Sequence, residues 1–238
     1  MKKKVLSILL SAAMVAAMVS GCGSKDEGSS SADSADKTEA SSDDAAASDA
    51  TYEGTIKIGV VGPFSGSSAM VGDTEKKGVE LAAKQINENG GINGMTIELI
   101  EDDDQQDPKT AVSAINKLVS SDEVVAAVGT VNSSCTLAMM DVTENNEIPL
   151  VTPISSGVAI TDPSNSYIVR LQASDKLQAK AITEYAINDL GYKNIAVMFQ
   201  NDDFGAGGKD VVVETLKDAG IEPLAVEAFD SSATDMSA

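Results

Sequence analysis

The sequence predicts an α/β fold in which parallel sheet is flanked by helices. Three observations predict it. From Thr55 onward, short apolar strands alternate with amphipathic helical stretches, the pattern of repeated βαβ units. One strand, Val124 to Val128, is an unbroken apolar run, as expected where helices cover both faces of a sheet. A hydrophobic content of 42% supplies apolar surface for a core.

Ile56 to Val61 reads as the first strand, ending at Gly62-Pro63. A helix follows with Val79, Ala82, Ala83 and Ile86 on one face, and Asn89-Gly90-Gly91 stops it with glycines suited to a left-handed cap. Met95 to Ile100 is the next strand. Asp107-Pro108 opens a helix whose Ala111, Ala114, Ile115, Leu118 and Val119 recur at helical spacing, with Asp107 as cap and Pro108 at the first turn. After the run Val124 to Val128 comes a loop, then a helix from Ser134 to about Asn146. Ile148 to Thr152 is the fourth strand, and Tyr167 to Leu171 is a shorter strand or a linker. Asp175 to Leu190 is a helix carrying Leu177, Ala181, Ile182 and Tyr185. Ile195 to Phe199 is a strand, Val211 to Leu216 lies in a helix, and Ile221 to Phe229 is strand-like.

Residues 1–22 read as an address. Lys2, Lys3 and Lys4 precede an apolar run from Val5 to Val19, too short to span a bilayer comfortably. Val19-Ser20-Gly21-Cys22 resembles a bacterial lipobox, which predicts diacylglycerol on Cys22 and a lipid-anchored protein on the outer face of the cell membrane. Residues 23–54, rich in Ser, Ala and Asp, bury too little apolar area to offset ordering entropy. They read as a disordered acidic tether.

Composition excludes several functions. The net charge of −20 repels phosphate backbones, and aromatic content of 3% without Trp leaves few stacking platforms, so no nucleic acid partner is expected. Without histidine no Ser-His-Asp triad or His metal site can form. Cys135 lacks a His to activate it and reads as a small, partly buried residue rather than a nucleophile. Gly59-Val60-Val61-Gly62 does not complete a dinucleotide fingerprint, and Gly205 to Lys209 lacks phosphate-loop spacing. Asp102-Asp103-Asp104 lacks the Gly and Glu of a calcium loop and reads as a solvated strand end. No metal and no cofactor are assigned.

In a parallel sheet, ligands sit beyond the strands' C-terminal ends, which directs attention to the loops after Val61, Val128, Thr152 and Phe199. Ser133, after a buried strand and at a helix start, offers a hydroxyl beside free N–H groups and a partial positive charge, which suits a carboxylate. A plain capping serine is the alternative. Ser155-Ser156-Gly157 alone reads equally as a turn.

Ile56 to Val119, VGTVNSSCTLAM from Val128, IPLVTPISSG from Ile148 and Asn194 to Gly208 together resemble the leucine/isoleucine/valine-binding protein family, receptors of branched-chain amino-acid ABC transporters. The resemblance runs from about Thr55 to the end. It implies a type I periplasmic-binding-protein-like fold: an N-terminal ligand-binding lobe over 55–172 and a C-terminal lobe over 173–238, incomplete because it holds only two strands. It also implies an amino-acid ligand in the inter-lobe cleft, an ABC permease as partner and no enzymatic role. By resemblance Ser133 binds the ligand carboxylate and Asn132 lines the site. Ile154 offers its carbonyl to the ammonium, and Ser156, beside Ser155, contributes hydroxyl and N–H. Two positions depart from the family pattern: an aromatic becomes Val71, a remaining apolar wall, and the covering tyrosine becomes Phe204, a lid without a hydroxyl. The family's acidic ammonium partner lies beyond Ala238, which predicts a fragment or truncated product. The alternatives are a sensory receptor of the same fold, an amide- or urea-binding transport receptor, and a secreted enzyme using Ser133 or Cys135, which the absence of His disfavours.

Overall fold

A computed structural model describes residues 53–161 and 165–235. The leader, Cys22 and nearly all of the tether lie outside the described residues. Among those described, no helix is long and apolar enough to cross a membrane.

Five parallel strands form the first sheet, in the order β2-β1-β3-β4-β5. They are β1 (Thr55–Gly62), β2 (Thr96–Asp103), β3 (Ala126–Gly129), β4 (Leu150–Thr152) and β5 (Ile168–Arg170). Between them run α1 (Ala69–Glu88), α2 (Pro108–Ser120) and α3 (Ser133–Asn145). Strand order reverses between β1 and β3. Right-handed crossovers therefore put α1 on one face and α2 and α3 on the other, and α2 and α3 pack together. Their face holds the core, with Ala111, Ile115 and Leu118 of α2 and Cys135 and Met139 of α3 set against Val61, Ala127 and Leu150. The chain continues into α4 (Asp175–Asn188), β6 (Val197–Gln200), α5 (Asp203–Asp218) and β7 (Val226–Phe229), where β6 and β7 pair in parallel as a second sheet. Ile187, Val197, Leu216 and Ile221 form a smaller core there.

Local chemistry explains the elements. The Asp107 side chain accepts from Thr110 N at 2.8 Å with Pro108 in the first turn, and these bonds hold the Asp107 carboxyl below its ordinary range. The apolar stripe of α2 is buried as its spacing predicts, with Val119 half-buried at the edge.

Four expectations are corrected. On α1 the buried positions are Gly72, Glu75 and Ala83, while Ala82 and Ile86 are exposed. Asn87 brackets β2 by accepting from Ile97 N at 2.7 Å and donating to Ile97 O at 2.8 Å, which turns Ile86 outward. Val125 is exposed because β3 starts one residue later, at Ala126. On α4 the buried residues are Asp175, Thr183 and Ile187, whereas Leu177, Ala181, Ile182 and Tyr185 are exposed. Asp104 is not a solvated strand end: it is fully buried, accepting from the Thr130 hydroxyl and from Gln106 N.

Candidate functional site

A cavity of about 400 Å³ opens beyond the C-terminal ends of strands from both sheets. Val131, Asn132 and Ser133 follow β3, Ile154 and Ser156 follow β4, and Gln172 follows β5. Gln178 from α4, Gln200 at the end of β6 and Phe204 at the start of α5 close the other side. The cavity thus lies where strand order reverses in the first sheet, the position at which a doubly wound fold leaves a crevice.

The wall from α3 is fixed from behind. Asn132 is the N-cap of α3, its Oδ1 accepting from Cys135 N at 3.2 Å. The helix therefore begins at Ser133, one residue earlier than the sequence predicts, and Ser133 occupies its first turn. Its Oγ accepts from Gly157 N at 3.1 Å. That oxygen is already an acceptor, so its own proton remains available to a ligand. The α3 amides and helix dipole add partial positive charge at the same place. Glycine is required at 157 because a Cβ there would stand 2.9 Å from Ser133 Cβ.

The wall after β4 is a buried turn, not a solvated one. Ser155 lies behind the cavity and does not border it: its hydroxyl donates to Thr130 O at 2.7 Å and lies 2.7 Å from Thr136 Oγ1. Thr152 Oγ1 also donates to Thr130 O, at 3.2 Å. Arg170 Nη1 clamps the turn by donating to Ser156 O and Gly157 O at 3.2 and 2.9 Å. The Ser156 hydroxyl donates to Asp175 Oδ2 at 3.1 Å, so its lone pairs remain to accept. Burial raises the Asp175 carboxyl above its ordinary value, against the Ser156 bond and Arg170, which lower it.

Across the cavity, Asp202 caps α5, accepting from Gly205 N at 3.0 Å, from the Gln200 amide and from Asn132 Nδ2 at 3.4 Å. Asp203 N donates to Ser134 Oγ at 3.3 Å. The N-termini of α3 and α5 therefore meet at the mouth. A Cβ at Gly205 would stand 2.0 Å from Gln200 O, so only glycine lets α5 approach β6 this closely. Phe204 is part-exposed beside the cavity.

The structure therefore gathers Asn132, Ser133, Ile154, Ser156 and Phe204 at one cavity. Val71, 38% exposed on α1, does not border it. Sequence reasoning missed Gln106, Val131, Gln172, Gln178 and Gln200. Gln200 directly follows Phe199, one of the strand ends the loop rule had selected, so that rule was the available signal. Cys135 is fully buried rather than partly so, and burial pushes its thiol up, away from nucleophilic use. Among the described residues no group of three or more His, Cys, Asp or Glu side chains could hold a metal.

Comparison with known proteins gives a consistent result. The sequence profile described as periplasmic binding protein matches residues 55–238. The leucine-, isoleucine-, valine-, threonine- and alanine-binding protein of Pseudomonas aeruginosa is 34% identical over 184 residues, covering 77% of this chain and 49% of that protein. An amino acid binding protein of the same organism is 33% identical, again covering 77% of this chain and 49% of its own length. Among solved structures, a branched-chain amino acid transporter substrate binding protein of Streptococcus pneumoniae, in complex with isoleucine, superposes with a TM-score of 0.69 at 30% identity, covering 77% of this chain and 52% of that one. A leucine binding protein of Thermotoga maritima gives 0.70 at 25% identity, covering 76% and 50%. The chain spans about half the length of the curated relatives it matches.

Proposed function

The chain belongs to the periplasmic binding protein family, and from that membership we propose that it captures an amino acid outside the cytoplasm for delivery to an ABC permease. The observation that carries this reading is the complementary state of two hydroxyls at one cavity. Ser133 accepts from Gly157 N and keeps a proton to give, while Ser156 donates to Asp175 and keeps lone pairs. A zwitterion needs both: a donor for its carboxylate and an acceptor for its ammonium. The first turn of α3 adds positive potential on the carboxylate side. Ile154 contributes its carbonyl on the ammonium side, and Phe204 covers the ligand as a lid.

In this reading residues 55–172 and 173–238 are two lobes, and a ligand touching both stabilises the closed arrangement by its greater affinity for it. Binding is the whole function, with no bond made or broken. Lipid on Cys22 and the 23–54 tether would hold the receptor at the outer membrane face beside its permease. Relatives named for branched-chain and other amino acids support the ligand class. The experiment is calorimetric titration of the full chain, kept in mild detergent, with each of the common amino acids. Saturable heat with at least one is expected, together with an affinity loss of about tenfold or more in Ser133→Ala. No heat with any, or an unchanged affinity in the variant, contradicts the reading.

A further inference from the structure

The cavity that the proposed function assigns to an amino acid has an uncharged but strongly polar lining on both sides. Gln106, Gln172, Gln178 and Gln200 border it, from four different elements or loops. Their bonds inside the protein fix what each presents. Gln106 Oε1 accepts from the Ser68 hydroxyl, leaving its amide protons to donate. Gln178 Nε2 donates to Ala173 O at 2.6 Å, and Gln200 Nε2 donates to Asp202, so each leaves a carbonyl oxygen to accept. Gln172 has no hydrogen bond recorded among the described residues and can supply both.

We infer that this receptor selects an amino acid with an uncharged hydrogen-bonding side chain, a carboxamide or hydroxyl, over an aliphatic one. The inference rests on the amino-acid reading of the same cavity and deepens it. An aliphatic side chain enclosed by these carboxamides would strip them of water and return no hydrogen bonds. A carboxamide side chain offers both donors and acceptors and can meet Gln106 and Gln172 on one side and Gln178 and Gln200 on the other. A carboxylate side chain is disfavoured by the chain's net charge of −20 and by Asp202 close behind Gln200. Among the described residues, the apolar groups that border the cavity are Val131, Ile154 and Phe204, against four carboxamides.

The test is titration of the full chain with L-glutamine, L-asparagine and L-threonine against L-leucine, L-isoleucine and L-valine. Tighter binding of the polar set by about tenfold or more, equivalent to about 1.4 kcal/mol, is expected. Gln172→Leu, at an exposed position that the fold tolerates, and Gln200→Leu should each narrow that ratio, while Ser133→Ala weakens both sets alike. Leucine binding as tightly as glutamine, or a ratio unmoved by both glutamine variants, overturns the selectivity and leaves the amino-acid reading standing. Silence from all six overturns the selectivity, and silence from every common amino acid overturns the amino-acid reading as well.

Discussion

Ser133 and Glu75 show how a single side chain's leftover valence decides its role. Ser133 is buried and borders the cavity, and its hydroxyl accepts from Gly157 N, which leaves its proton to donate. Glu75 is 6% exposed, and neither carboxylate oxygen has a partner among the described residues. Burial, and secondarily the nearby Asp104 charge, raises its pKa from 4.5 to about 8. The folded chain therefore holds that proton more tightly than the unfolded chain does. Its contribution to stability is complete below about pH 4.5 and is lost as pH rises toward 8. Glu75→Gln cannot ionise, so its melting temperature should gain on the parent between pH 5 and 8.5, by several degrees at the upper end. Parallel curves for the two proteins over that range would contradict the assignment. The site residues that the sequence made legible were those beside local signals: Ser133 at a helix start, Ile154 and Ser156 in a loop after a strand. Gln106, Gln172 and Gln178 carried no local signal, and only the fold brings them to the same cavity as Gln200. Val71 lies off this cavity because α1 presents Gly72 and Glu75 inward, which sends their neighbour out.

At the scale of elements, α2 and α4 carry similar apolar spacing and opposite fates. Cap, first-turn proline and stripe all agree on α2, and its Leu118 is fully buried with its Cδ1 placed 3.0 Å from where a Cβ on Gly59 would stand. On α4, Ile182 is 70% exposed, and the stripe that spacing suggested points outward. Leu118→Ala should cost about 2–5 kcal/mol through lost burial and a cavity, while Ile182→Ala should stay within about 0.5 kcal/mol. Thermal or urea unfolding of the two variants checks this, and an equal cost for both would mean that the α4 stripe is covered. The comparison shows what periodicity carries. It identifies a helix and one apolar side, but only packing partners decide whether that side is the inner one. The extra length of β2 was hidden for a related reason: Glu101, Asp102 and Asp103 look like loop residues, yet each pairs along β1.

At the scale of the molecule, two parallel sheets present their strand ends to one cavity, and the N-termini of α3 and α5 meet at its rim through Asn132, Asp202, Ser134 and Asp203. The alternation of strands and helices made the sheets legible. The order β2-β1-β3, which creates the crevice, could be inferred only from the family resemblance, since strand sequence does not state who pairs with whom. The binding account rests on α3 receiving a carboxylate at its first turn. Amide-resolved NMR of the full chain, titrated separately with L-glutamine and L-leucine, reads that contact directly. The account predicts that the Ser133, Ser134 and Gly157 amide resonances move saturably with whichever ligand binds, and that in Ser133→Ala the Ser134 and Gly157 shifts need about tenfold more ligand or more. Saturable shifts confined to other parts of the chain, with those three amides unmoved, would contradict it.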